Sequence, residues 1–366
     1  MREILVTGAA AVTPLGRDLE TTATRLAAGE SGIVEVSVSE GGERPGAAFA
    51  ARITAFTTEP EMPKAKARRL DRGSQFGIVA VTRCLAEAGW TMAGHEEETG
   101  ILLGTGSAGA SPLVELERQM AVESPEAASP FLFPCTVANA PASIAAIELK
   151  IKGPNVTITQ KDPAGLNALF YGRLLLADER AKAIVAGAVD EWNLTYHLAY
   201  ERLRVLKTPT RPGYVLAEGC SVVLLEDAAS ARSRGARPWA RLAGVASAGS
   251  PVSPQQRRAR PGEIAANVRA ALADGDLPPS RVGLVHASAN GVPWIDAAEE
   301  AALAEVFGTA PRIERIKLQA GENPCSGALQ LALAARALRE EPSLGAVLVN
   351  SLGAGGNQVA VVFTAP

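Results

Sequence analysis

The chain has 366 residues, too many for one simple core and suited to two domains or one duplicated one. Its formal net charge of -3, with acids and bases interspersed, excludes a nucleic-acid surface or an anionic-membrane binder as the organising theme. No apolar stretch reaches membrane-spanning length, and Cys84, Cys135, Cys220 and Cys325 are scattered without CxxC pairs, so neither zinc nor a disulfide framework is expected and a reducing cytoplasm fits.

In chain order, Glu3 to Val6 opens as a strand rather than as a basic segment before an apolar run, which argues against a signal peptide. The following Gly/Ala turn lacks the GxGxxG spacing of a dinucleotide loop. A helix is predicted over Leu19 to Ala28. A loop-rich excursion is predicted from Val34 to Pro60, with Gly41, Gly42, Pro45 and Gly46 as breakers. A long helix is expected from Arg68 to Gly89, and the basic cluster Lys64, Lys66, Arg68, Arg69 and Arg72 reads as a solvated face. Gly100 to Gly104 reads as a buried strand, Pro112 to Met120 as a helix, and Val137 to Leu149 as another.

The central stretch is VTITQKDPAGLNAL, Val156 to Leu169. Val156 and Ile158 predict a buried strand, and Leu166, Leu169, Phe170, Leu174 and Leu175 predict a helix after a sharp polar turn. Such an elbow holds its tip residue on strained backbone above a helix N-terminus, where a nucleophile is activated. The tip here is Asp162, and no Ser or Cys lies between Thr159 and Leu174. A strand at Ala183 to Ala188, a variable stretch from Trp192 to Pro212 and a strand at Ser221 to Leu225 complete the first half.

The second half repeats the order: a segment from Trp239 to Ala246, a helix over Glu263 to Leu272, a strand over Gly283 to Ala287 and a helix over Pro293 to Phe307. An elbow-like Arg315 to Gly327, a helix over Ala328 to Leu338 and strands at Ala346 to Asn350 and Val359 to Phe363 follow. Two βαβ-containing halves, 1-230 and 238-366, imply a duplicated α/β fold with parallel-rich sheets and buried central helices.

Six segments in order carry a resemblance: VTGAAAVTPLG, SPFLFPCTVAN, GPNVTIT, RPGYVLAEGCSVVLLEDAASARSRGA, the stretch around Lys317, and NSLGAGGNQ. They resemble the ketosynthase branch of the thiolase-fold condensing enzymes nearly end to end. The resemblance implies a thiolase-like α/β fold, two pseudo-duplicated halves in a layered α-β-α-β-α arrangement. It also implies an elbow Cys that attacks an acyl thioester and two His residues that support decarboxylation. The Cys falls on Asp162, the first His on Ser288 and the second on Glu322; only Lys317 matches. The gating Phe falls on Ala354 and its neighbouring Phe on Leu352, so the acyl gate is expected to be dismantled. An Asp carboxylate attacking a thioester would form a mixed anhydride of higher energy. His286, two residues before Ser288 on the same strand face, reads as a satisfied strand-end histidine rather than a substitute, and Glu322 as a structural acceptor for Lys317 rather than a general base.

Chain-length factors, ketosynthase-like subunits that lack the Cys, are similar to PAGLNAL after Asp162, with Asp here where they often have Gln. The expected function is a non-catalytic subunit that heterodimerises with an active ketosynthase and serves chains held on an acyl carrier protein, without cofactor or metal. In that dimer Ser129 to Ala142 and Val156 to Thr159 would form the interface, and Phe131, Phe133, Cys135 and Thr136 would extend toward the partner's tunnel. The same aromatics filling this subunit's own core is the alternative. Two further readings are an enzyme repurposed for acid-base work with Asp162, Glu322 and Lys317, and a homodimeric acyl-binding scaffold.

Overall fold

A computed structural model describes residues 2–38, 47–251 and 259–366. The strands of the first half are β1 (Ile4–Val12), β2 (Ile33–Ser37), β3 (Ala47–Ala51), β4 (Thr99–Gly104), β5 (Asn155–Ile158), β6 (Ala183–Asp190), β7 (Leu216–Ala217) and β8 (Gly219–Asp227). Its helices are α1 (Leu19–Ala27), α2 (Lys64–Ala67), α3 (Arg72–Glu87), α4 (Ala110–Arg118), α5 (Ala140–Leu149), α6 (Ala164–Ala177), α7 (Leu194–Arg202) and α8 (Ala228–Ser233). The second half supplies β9 (Ala240–Gly249), β10 (Val282–His286), β11 (Arg312–Glu314), β12 (Ala346–Leu352) and β13 (Asn357–Thr364). With them come α9 (Pro261–Asp274), α10 (Pro293–Phe307), α11 (Lys317–Ala320) and α12 (Pro324–Glu340).

Ten strands run in the order β11-β10-β12-β13-β9-β1-β8-β6-β4-β5. The halves meet where Leu5 and Val6 pair with Arg241 and Ala240. Outward from this seam both halves repeat one pattern: β1-β8-β6 and β9-β13-β12 are antiparallel, β6-β4-β5 and β12-β10-β11 parallel. The duplication inferred from sequence is therefore present strand for strand.

Consecutive residues of β6 explain the layering. Ile184 and Ala186 join the core that holds Leu166, Leu169, Leu331 and Ala335 of α6 and α12. Ala183 and Val185 join the core of α3 and α5 on the opposite face. The outer face of the second half, through Leu348 and Val362, meets α9 and α10. Both faces of each half-sheet are covered, which is why the strands read as unbroken apolar runs, and α6 and α12 form the middle layer. The N-termini of these two helices approach closely: a Cβ on Gly165 would stand 2.8 Å from the Pro324 carbonyl oxygen.

Several local expectations are corrected. The helix expected from Arg68 begins at Arg72, because Asp71 accepts from the Ser74 amide and starts α3, while Arg68 is the C-cap of the separate short α2. Arg72 is no solvated charge; its guanidinium clamps the buried Glu218 carboxylate at 2.9 Å. The helix expected from Val137 starts at Ala140, with Pro141 in its first turn, where a missing N–H costs nothing. The variable stretch after Trp192 contains α7, capped by Asn193. β5 is an edge strand with Asn155 and Val156 exposed, not a buried strand. In the Val34 to Pro60 excursion, β2 and β3 pair antiparallel; Gly41, Gly42, Pro45 and Gly46 lie outside the described residues.

Candidate functional site

The elbow between β5 and α6 positions Asp162 just before the α6 N-terminus. The residue on left-handed backbone is Lys161, at φ +56°, one position earlier than expected. This turn sends the Lys161 side chain outward: its ammonium donates to the Gly106 carbonyl at 3.0 Å and stands 4.6 Å from the centre of the Tyr196 ring. Asp162 turns inward and is buried. Its Oδ1 accepts from the Tyr214 hydroxyl at 2.7 Å, and its main-chain carbonyl accepts from Ser351 Oγ at 3.3 Å. The space left beside it is a cleft of about 30 Å³, with Lys161, Asp190, Tyr196, Tyr200 and Tyr214 among its walls. Such a volume takes a water or two and no acyl chain.

Glu322 lies between α11 and α12, and its backbone is fixed first. Its amide donates to the Val215 carbonyl and its carbonyl accepts from the Ala217 amide, a short bridge that sets Tyr214 beside both acids. Its Oε2 accepts from Lys317 Nζ at 2.8 Å and from Asn290 Nδ2 at 3.1 Å, while Oε1 has no hydrogen-bond partner. The Lys317–Glu322 pair is wholly buried. Burial pushes the Glu322 carboxyl up to about 8; Lys317 opposes this and the charge of Asp162 adds to it. Asp162 is likewise raised by burial, against the Tyr214 hydrogen bond and Lys317. One buried ammonium cannot offset two buried carboxylates, so the cluster holds an extra proton near neutral pH.

Ser288 is not aimed at a substrate. Its amide donates to Glu299 Oε1 at 2.7 Å and its Oγ accepts from the Leu352 amide at 2.9 Å, which stitches the end of β10 to that of β12. Leu352 is buried, whereas Ala354 is exposed. His286 is buried but faces a different cavity, with Leu284, Glu314 and Leu333. It is also not the satisfied histidine expected, since neither ring nitrogen has a hydrogen-bond partner.

Phe131 and Phe133 are 64% and 68% exposed, so they do not fill this chain's own core. Cys135 departs from the expectation of reaching outward: it is buried, its thiol 3.9 Å from the Phe131 carbonyl oxygen, and Thr136 is half-buried with its hydroxyl spent on the Phe133 carbonyl. The structure thus brings Asp162, Glu322 and Lys317 together, ties Ser288 beside them, and leaves Phe131, Phe133 and Ala354 on the surface.

Two contributors escaped the sequence reading. Tyr214 stands in RPGYVLAEG where the similar family stretch has Phe, so an added hydroxyl was the available signal. Asp190 accepts from Thr105 Oγ1, both the Gly106 and Ser107 amides and Ser107 Oγ, and so holds the loop that walls the cleft. Only the end of β6 reveals it. Among the described residues no group of three or more His, Cys, Asp or Glu is placed to hold a metal ion, and no helix is long and apolar enough to cross a membrane.

Residues 1–231 match the β-ketoacyl synthase N-terminal domain and residues 239–342 the β-ketoacyl synthase C-terminal domain. The chain belongs to the β-ketoacyl synthase family. Similar curated proteins include the 3-oxoacyl-[acyl-carrier-protein] synthase 2 of Vibrio cholerae, 28% identical over 330 residues, 84% of this chain and 78% of that one. The same-named protein of Synechocystis is 26% identical over 329 residues, covering 84% and 77%. Among solved structures, the ishigamide ketosynthase/chain length factor superposes with TM-score 0.90 at 22% identity, covering 100% of this chain and 99% of that one. A type II PKS acyl-carrier protein in complex with its ketosynthase superposes at 0.84 and 20% identity, with both chains fully covered. At such identities the structural likeness establishes the thiolase-like fold.

Proposed function

We propose that this chain is a non-condensing subunit of the chain-length-factor kind, which pairs with an active ketosynthase and shapes that partner's acyl tunnel. The observation that carries the proposal is the elbow: its tip is a buried carboxyl bonded to Tyr214 in a cleft of about 30 Å³. Neither a nucleophile for a thioester nor room for an acyl chain is present there. The two positions that would carry the family's histidines are committed as well, Ser288 to the Leu352 amide and Glu322 to Lys317. A second support is apolar surface that suits a second thiolase-fold subunit: Val156 exposed on the edge strand β5, Ile147 exposed on the neighbouring α5, and Phe131 and Phe133 exposed in the segment that leads into α5. The partner's Cys would perform condensation on chains carried by an acyl carrier protein.

The acid-base reading has one observation in its favour, the Glu322 carboxyl pushed up to about 8, within range of general acid-base work. Its complete burial argues against it. Co-expression with a Cys-His-His ketosynthase, gel filtration and an extension assay with malonyl-loaded carrier protein separate the two. A stable 1:1 complex, equally active with wild type and Asp162→Ala, is expected. Turnover by this chain alone that vanishes in Asp162→Ala would overturn the proposal.

A further inference from the structure

Between β4 and α5 the chain leaves the body of the molecule and returns. Gly109, on left-handed backbone at φ +83°, abuts Thr136, whose carbonyl oxygen an added Cβ would meet at 2.8 Å. The excursion between these two points packs thinly. From Ser107 to Thr136 only Gly109, Pro112, Leu116 and Cys135 are buried, whereas Leu113, Val114, Met120, Val122, Phe131 and Phe133 are exposed. A segment with so few buried apolar side chains opens at far less cost than global unfolding.

Its root stands on carboxyls. Asp190 accepts from the Ser107 amide at 2.8 Å, from the Ser107 hydroxyl and from Thr105 and Gly106 beside it. Glu191, 5% exposed, accepts from Ser111 in the first turn of α4: the amide stands 3.3 Å from Oε1, and the hydroxyl is steadied by Asn193 Nδ2 at 2.8 Å. Facing Glu191 are Asp71 at the head of α3, Asp190 and the Cys135 thiol. The cations around it are engaged elsewhere, Arg72 by Glu218, Lys161 by the Gly106 carbonyl and Arg52 on the Trp192 ring. Burial pushes the Glu191 carboxyl up to about 7; Asp71 and Asp190 add to this and Ser111 opposes it. Burial raises Asp190 as well, but its four donors hold its charge, so Glu191 is the acid that keeps a proton.

We propose that residues 107–136 form a flap latched by protonated Glu191. A neutral Glu191 sits between Asp71 and Asp190 at little cost. Once ionised it is a buried carboxylate with no cation against it, and opening the flap relieves that charge by hydrating it. The folded group holds its proton more tightly than an ordinary glutamate, so latching is strongest below about pH 4.5, weakens as pH rises to about 7 and then changes no further. The inference does not rest on the chain-length-factor reading, although the flap carries Phe131 and Phe133.

Cys135, the buried thiol where the flap returns, reports its opening in the isolated full chain. Its labelling by 4,4′-dithiodipyridine, located by peptide mass, is followed from about pH 5.5 to 7.5 in wild type and in Glu191→Gln. Both carry the same thiol, so their ratio isolates the latch, and the core thiols Cys84, Cys220 and Cys325 are controls. The wild-type rate relative to Glu191→Gln is expected to rise on the order of tenfold over this range, with the core thiols unreactive. Asp71→Asn, which keeps a capping side chain but removes one facing charge, should move the rise to lower pH. The proposal is overturned by parallel profiles in wild type and Glu191→Gln, by a Cys135 that reacts no faster than the core thiols, or by a rise that Asp71→Asn leaves in place.

Discussion

At the scale of single residues, one ammonium between two buried acids governs the site. Glu322 binds its proton more tightly in the folded chain, where its pKa is about 8, than at the ordinary value of 4.5. The stability this contributes is full below about pH 4.5 and is lost as pH rises through 8. Glu322→Gln should flatten that part of the pH-stability profile in urea unfolding; an unchanged slope would show that the proton resides elsewhere. Glu322 and Lys317 were both singled out in the sequence as a candidate pair, and the structure brings them together. Tyr214 and Asp190 were not, because their partners lie 52 and about 84 residues away in the chain and nothing local announces them.

At the scale of elements, the middle layer sets the tolerance of the elbow. α6 and α12 cross where Gly165 faces the Pro324 carbonyl oxygen and a Cβ would also press on Ala188 and Ala328. Backbone cannot yield as a flexible side chain would, so Gly165→Ala should cost about 1–3 kcal/mol, read as a lowered urea midpoint. An unaltered midpoint would mean the two helices separate easily, and the closed cleft would then be a poor guide to what the elbow admits. Asn323 and Ser326, reciprocally bonded at the start of α12, fix the register that presents Glu322 to Lys317. The sequence reading used none of the caps Asp71, Asn193 and Asn323: it began helices at Arg68 and Ala328 and placed none between Trp192 and Pro212, because a capping side chain is recognised by the backbone amide it accepts from.

At the scale of the molecule, the ten-strand order leaves two edges, β5 and β11, with different surroundings. Beside β5 the exposed Val156 and Ile147, the latter 75% exposed, leave apolar surface among the polar Asn155 and Lys152. Around β11 the side chains are charged and ion-paired, as with Arg312 and Glu314. Charges beside an open edge discourage strand addition, while an apolar surround invites a partner. Ile147→Asp should therefore abolish the 1:1 complex with a ketosynthase in gel filtration while leaving the isolated chain's melting temperature unchanged. Retention of the complex would place the interface elsewhere.

The sequence by itself determined the family and the duplicated α/β order, since these are carried by residue type and by motifs strung along the chain. Period and composition are local properties, and so survive without coordinates. Only the tertiary structure decided that Asp162 is turned inward onto Tyr214 while Lys161 takes the strained backbone, that Cys135 is buried while Phe131 and Phe133 are exposed, and that β5 is an edge. Each of these depends on which distant segments meet. An apolar strand reads alike whether its neighbour is another strand of the same chain or the surface of a partner.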